Sequence, residues 1–497
     1  MIVELKKVKE LVVSACYNTV SCLFNNLIYL VIIHYLSLNS KDASLQQNGI
    51  SLACTILIIT FDPIIIAFSM GLKILYSQFD ANQNASKSKN FNLLLYQCIA
   101  FTCVLGLFII AFILLCFDFF FKMLSYEQDT IDMSKIGIVY IFISKIAFLI
   151  YEYQRSQLLG MKVFGPFAYF QTASFVITTI FCEIFQNVTE VGIHQAGLLF
   201  IIHDTIKVVI LFLYKKKNNR NSNTPEQSPN TRQNETINEL AQLIFRERKN
   251  LLDLINYVKP IFLIVLIECT FFNASIILSG KFSNEYIVAA VCFQMTNTLI
   301  FKGIMGLYES LVSFSGTAFA TRDFEGAKHY LVYTVSILLI YEAVFISFLL
   351  LFSDFWAGSF SQDPNIVELI KHFKYTYILT IPFDGTQVLL GAYLQTVELK
   401  QIVKKTEFIS FIIIGIPLIY IMGVELDLKL GGIWIGIGLC NFVNLITYLK
   451  VIKSIDYEVQ HKIIILNQDI IESNNQSDQL TELLPVCQSD QFLEKNI

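Results

Sequence analysis

Residues 254–279 read LINYVKPIFLIVLIECTFFNASIILS, a run long enough to cross a lipid bilayer as one helix, with Glu268 near its middle. A helix rises 1.5 Å per residue and needs about 20 apolar residues to span the hydrocarbon. The stretch therefore reads as a transmembrane helix, and its carboxylate sits where a lone charge is costly and usually tied to function. Phe272, Ser275 and Ser279 follow Glu268 at helical spacing, so one stripe carries an acid, an aromatic ring and two hydroxyls. Such a stripe faces protein or water, not lipid. A second run, 369–394, carries Asp384 with Thr376, Thr380, Gln387 and Gly391 on its face. Pro382 removes one backbone donor there and exposes carbonyls near the acid.

The rest of the chain has the same character. With 55% apolar residues, 15% charged and a mean hydropathy of +0.58, it reads as an all-α polytopic membrane protein. Apolar runs fall at 11–36, 49–75, 92–117, 134–153, 164–185, 191–214, 254–279, 286–312, 328–353, 369–394, 403–424 and 430–451, which predicts twelve transmembrane helices. The first is interrupted by Asn18, Asn25, Asn26 and His34. No removable signal peptide is expected at the N-terminus, and the first helix serves as its own insertion signal. A net charge of -4, with the basic residues in loops, excludes a nucleic-acid partner. Eleven cysteines fall singly, without metal or redox spacing, and read as small buried hydrophobes.

Lys and Arg concentrate in alternate connections: Lys87 and Lys89; Arg155 and Lys162; Lys215 to Lys249; Arg322 and Lys328; Lys400, Lys404 and Lys405. These belong on the cytoplasmic side, which places both termini there, in a plasma or internal membrane. The polar stretch 215–250 separates two sets of six spans and reads as a linker. The expected organisation is a first six-helix lobe over 1–214, that linker, a second lobe over 251–453, and a disordered or docking cytoplasmic tail over 454–497. The halves look alike: Ala67 pairs with Gly306, Gln78 with Thr317, Lys89 with Lys328 and Phe91 with Tyr330, each 239 residues apart. Six spans per copy is an even number, so the repeats are parallel, with an axis along the membrane normal and a cavity between them.

Other polar residues in the spans divide into site candidates and packing. A carboxyl in lipid-length sequence can carry a proton through a transport cycle or, with hydroxyl and carbonyl oxygens, coordinate Na+. Glu268 and Asp384 are the strongest candidates for that role. Asp62, before Pro63, is a third in the first lobe, where a purely local hydrogen-bonding role is equally open. Lys73, Lys145, Lys302 and Glu342 read as pairing or snorkelling side chains, and Asp204 and Lys207 neutralise each other one turn apart. Phe272, Asn273, Gln294, Asn297, Phe301 and Gln387 are candidate contacts for an amphipathic organic molecule, since aromatic faces and amides suit one. His194 and His203 are nine residues apart, which is no ligand spacing, and neither a metal site nor a cofactor is expected. No nucleotide-binding loop or nucleophile elbow occurs, so the chain is not read as an enzyme.

Taken in order, Leu266-Ile267-Glu268 with Leu278-Ser279-Gly280, Gly316-Thr317-Ala318-Phe319-Ala320, Phe383-Asp384 with Gly391-Ala392-Tyr393-Leu394-Gln395, Gly415-Ile416-Pro417 and Gly432-Ile433-Trp434-Ile435-Gly436 resemble the multidrug and toxic compound extrusion (MATE) family, its eukaryotic branch above all. The resemblance covers Lys7 to Lys453 and is sharper in the second half. It implies two pseudo-symmetric six-helix lobes in a V, alternating access, and export of organic compounds in exchange for H+ or Na+. Glu268 matches the family's glutamate on the seventh helix and Asp384 its acid on the tenth. A second glutamate of some eukaryotic members is Asn273 here, and the eighth-helix acid falls on Met295 beside Gln294. These departures remove negative charge from the second-lobe cavity. The first-helix acid of some prokaryotic members has no counterpart among Asn18, Asn25 and Asn26, and a second-helix acid is Lys73.

The resulting expectation is a secondary antiporter for small organic, often cationic or amphipathic compounds, working as a monomer in the bilayer. Two rivals stand beside it. A lipid-linked saccharide flippase of the same superfamily would use Lys73, Lys145 and Lys302 for pyrophosphate. A non-transporting receptor or scaffold would bind partners through the tail.

Overall fold

The computed structural model describes residues 2–39, 43–79, 87–123, 128–188, 192–221, 248–279, 281–282, 284–360 and 363–472, and among these no strand occurs. Helices follow one another as α1 (Ile2–Asn39), α2 (Ala43–Thr60), α3 (Asp62–Phe79), α4 (Lys87–Met123), α5 (Gln128–Gly160), α6 (Gly165–Val188) and α7 (Ile193–Asn221). The second half continues with α8 (Arg248–Ser279), α9 (Asn284–Ala320), α10 (Phe324–Leu351), the short α11 (Ser353–Gly358), α12 (Pro364–Thr396), α13 (Lys400–Glu425), α14 (Lys429–Lys453) and α15 (Tyr457–Glu472). Among the described residues ten helices are long and apolar enough to cross a membrane, and α2 with α3, bent by 45° about Phe61, passes the same test as a pair and is a broken span or a re-entrant loop. The remaining expected position, 369–394, lies within α12, a 33-residue helix that Lys371, Lys374, Asp384 and Gln387 make more polar. The chain is an integral, multi-pass, all-helical membrane protein.

The irregular places have local causes. Pro63 has no N–H to continue the α2 ladder, so the chain restarts as α3 behind Asp62. In α13, widened turns over Phe408–Gly415 and Ile421–Glu425 flank Ile416–Tyr420, whose Pro417 cannot donate.

The two halves meet through α1 and α3 on one side and α8 and α9 on the other. A Cβ on Gly306 would come within 2.6 Å of the Thr19 backbone nitrogen, so α1 and α9 cross this closely only because residue 306 has no side chain. Thr317 donates to the Ser77 carbonyl at 3.2 Å. Ser77 and Gly316 are 239 residues apart, the spacing of the repeat, and they touch each other. Residues beside a two-fold axis meet their own copies in this way.

At the end of the bundle carrying Lys400, Lys404 and Lys405, α15 packs on α3, α8 and α9. His461 Nδ1 donates to the Phe319 carbonyl at 3.1 Å, and the rings of Phe319, Phe324 and Tyr457 gather around it. The first part of the expected tail is thus helical and docked. Residues 473–497 of that tail and 222–247 of the expected linker lie outside the described residues.

Candidate functional site

Asp384 lies on α12, two residues past Pro382, and is buried. Asn441 of α14 donates to its Oδ1 at 3.2 Å, and Asn297 of α9 approaches Oδ2 at 3.5 Å, so three helices converge on one carboxyl group. Gly385 leaves room beside it: a Cβ there would overlap the carboxyl of Glu342, which reaches in from α10. Gln387, three residues on from Asp384, is buried on the same face, with its amide beside the carboxyl groups of both Asp384 and Glu268. Glu268 on α8 is partly exposed within the bundle and near enough to Asp384 for the two carboxyl charges to interact.

A fourth acid completes the group. Glu407, at the end of the first regular stretch of α13, is 2% exposed. It accepts from the Tyr448 hydroxyl of α14 at 3.0 Å and is close enough to Glu268 for their charges to interact. Phe271, beside the α8 acid, stacks on Phe411 of α13 at 4.6 Å and holds these two helices together. Among the described residues, none of Glu268, Glu342, Asp384 and Glu407 is in an ion pair with a basic side chain.

Among the described residues, the acids buried elsewhere are answered by bases, and so is the partly buried Asp62. Lys145 meets Asp62 at 2.7 Å, and Lys207 meets Asp204 one turn away. Glu309 of α9 accepts from Lys73 at 3.0 Å and from Arg155 at 2.9 Å, and Arg155 also reaches Glu152 at 3.0 Å. That last cluster joins α3 and α5 of the first half to α9 of the second. Asp62 keeps its place among the acidic residues within the spans, but here its charge is compensated by Lys145.

The residues expected to touch substrate are spread more widely. Asn297 and Gln387 belong to the surroundings of Asp384, and Phe272 lies beside Phe271 and Phe411 at 5.8 and 6.3 Å. Asn273 donates to the Cys269 carbonyl of its own helix at 2.7 Å. Gln294 and Phe301 are partly buried on α9, the former with an unpartnered amide oxygen. An apolar groove of about 960 Å3 lies between α1 and α6, lined by Val13, Tyr17, Tyr169 and Val176, and carries none of the acids. Glu309, Glu407, Asn441, Asn444 and Tyr448 were not singled out in the sequence. For Glu407 the available signal was an acid two residues after Lys404-Lys405, directly before a run that is apolar except for Ser410.

Chemically, three buried carboxyl groups and the partly exposed Glu268, with amides and hydroxyls around them and, among the described residues, no base to neutralise them, are able to take up or release a cation. They are strung from one helix to the next. Among the described residues no three His, Cys, Asp or Glu converge as a metal cluster.

The MatE family model matches residues 260–421, the part of the chain that holds all four acids. A probable multidrug resistance protein NorM of Listeria monocytogenes serovar 1/2a is 27% identical over 184 residues, 36% of this chain. NorM of Bacillus subtilis is 23% identical over 178 residues. The matched segment spans 40% of the Listeria protein and 39% of the Bacillus one. The fold is that of the eukaryotic MATE transporter AtDTX14, with a TM-score of 0.79 at 13% identity, over 94% of this chain and 99% of that one. The Vibrio cholerae MATE transporter VcmN gives 0.74 at 13% identity, over 92% and 100%. The segment 260–421 thus matches the MatE family model, and the chain as a whole has the fold of MATE transporters.

Proposed function

We propose that this chain is a secondary active antiporter of the eukaryotic branch, which exports small organic, cationic or amphipathic compounds and takes up H+ in return. The observation that carries the reading is the set of bare second-half acids, with Glu268 and Asp384 at its centre. Cation binding there changes the charge and hydrogen bonding of the second half and favours one opening of the cavity. It thereby lowers the affinity for substrate, and that difference in affinity couples the two fluxes. H+ is favoured over Na+ because the acids are strung out singly, whereas Na+ would need several oxygens converging on one point. The alternation of Lys and Arg in the connections supports an orientation with both termini in the cytoplasm.

The flippase reading loses support from the same geometry. Of the three lysines that could meet a pyrophosphate, Lys73 and Lys145 are engaged by Glu309 and Asp62.

The test is ethidium uptake into proteoliposomes under an imposed pH gradient. Glu268→Gln and Asp384→Asn should each lower gradient-driven uptake by about tenfold or more, the scale of a lost proton-transfer group. Undiminished uptake in both variants would end this reading.

A further inference from the structure

A polar stripe on α14 connects the Asp384 site with the end of the bundle that carries Lys400, Lys404 and Lys405. Asn441, Asn444 and Tyr448 stand three and four residues apart, on one face of the helix. Each is fully buried. Asn441 donates to Asp384 at 3.2 Å, Ser410 of α13 donates to Asn444 at 2.6 Å, and Tyr448 donates to Glu407 at 3.0 Å. From Asn441 to Tyr448 the helix advances about 10 Å. The stripe therefore reaches from the level of Asp384 to within five residues of Lys453, where α14 ends.

The members of this stripe are incompletely satisfied. Glu407 Oε2, Asn444 Nδ2 and Asn441 Oδ1 are buried and have no hydrogen-bond partner. Buried polar atoms are nearly always paired, so these three can each take a further partner. The titratable groups interacting with Glu407 are Glu268 from α8, Tyr308 from α9 and Tyr448 from α14, none of them a base. Glu407 thus stands between Glu268 and the basic end of the bundle, with a hydroxyl donor to hold one oxygen and the other oxygen free to take a proton.

We infer that Glu407, held by Tyr448, is a proton-relay residue that exchanges protons between the Glu268 and Asp384 pair and the aqueous phase at the Lys400–Lys405 end of the bundle. A proton leaving Glu268 is accepted by the Glu407 carboxylate, leaving Glu268 ionised, and passes from Glu407 to water at that end. The inference rests on the proposed antiport reading and adds a route to it. Glu407 does not touch substrate in this scheme.

The experiment uses the full chain in proteoliposomes with ethidium as probe, and ethidium binding to the purified protein as the second readout. Glu407→Gln should lower pH-gradient-driven uptake by about tenfold, with ethidium binding kept. Glu407→Asp should recover part of the uptake, and Tyr448→Phe should show a smaller loss in the same direction. Gradient-driven uptake in Glu407→Gln equal to wild type would overturn the relay. So would parallel loss of uptake and binding in Glu407→Gln and Glu407→Asp, which marks a structural residue. Wild-type protein showing no gradient-driven uptake would instead refute the antiport reading beneath it.

Discussion

Glu309 and Asp384 are both buried carboxylates on helices of the second half, yet their surroundings are opposites. Glu309 sits at the seam between the halves, gripped by Lys73 and Arg155. Asp384 has the amides of Asn297, Gln387 and Asn441, with the acids Glu342 and Glu268 as its charged neighbours. An acid paired with two bases keeps its charge whatever the ion gradient does, because neutralising it would strand two buried cations. An acid without a base gains from taking up a proton as its site closes and from losing it as water enters. The seam is built to hold a conformation, whereas under the proposed function the second-half acids change charge with it.

The comparison breaks most visibly at the seam. Glu309→Gln should destabilise the protein by about 3–5 kcal/mol, the cost of leaving buried charges without their partner, read as a lowered thermal midpoint of the detergent-solubilised protein. A midpoint equal to wild type would mean that the pairs contribute nothing to holding the halves together. A smaller effect is expected on the other side of the comparison. Gly385→Ala would drive a methyl group into the Glu342 carboxyl and should destabilise by about 1–3 kcal/mol, as overpacking does. Adding Glu342→Ala to it should restore most of the loss. Failure of that rescue would mean that Glu342 does not occupy the space beside Asp384.

Much of this was legible in the sequence because lipid imposes a coarse code. Runs of apolar residues, a lone acid within them and lysines in alternate connections are each visible one helix at a time, which is why Glu268 and Asp384 stood out. Partnership was less visible, because it depends on which helices touch. Asp204 and Lys207 lie one turn apart and could be paired from spacing alone. Lys145 with Asp62, and Lys73 with Glu309, are 83 and 236 residues apart, and nothing local announces them. Glu407 was hidden for a related reason: next to Lys404-Lys405 it resembles an ordinary loop charge until the fold buries it against Tyr448. The expected span at 369–394 falls in a helix, α12, that is not among those apolar enough to cross a membrane, since Lys371, Lys374, Asp384 and Gln387 lower its apolarity. A docking tail was among the expectations, but the α15 helix and its contacts with α3, α8 and α9 needed the fold.

The most direct measurement of the central claim is proton release on substrate binding. Purified protein in weakly buffered detergent solution would receive ethidium while the external pH is followed. If substrate and proton exclude one another at the bare acids, wild-type protein should release about one proton per ethidium bound, as reciprocal linkage requires, and the Glu268→Gln/Asp384→Asn double variant should release none. Equal proton release from the double variant and the wild type would contradict the account.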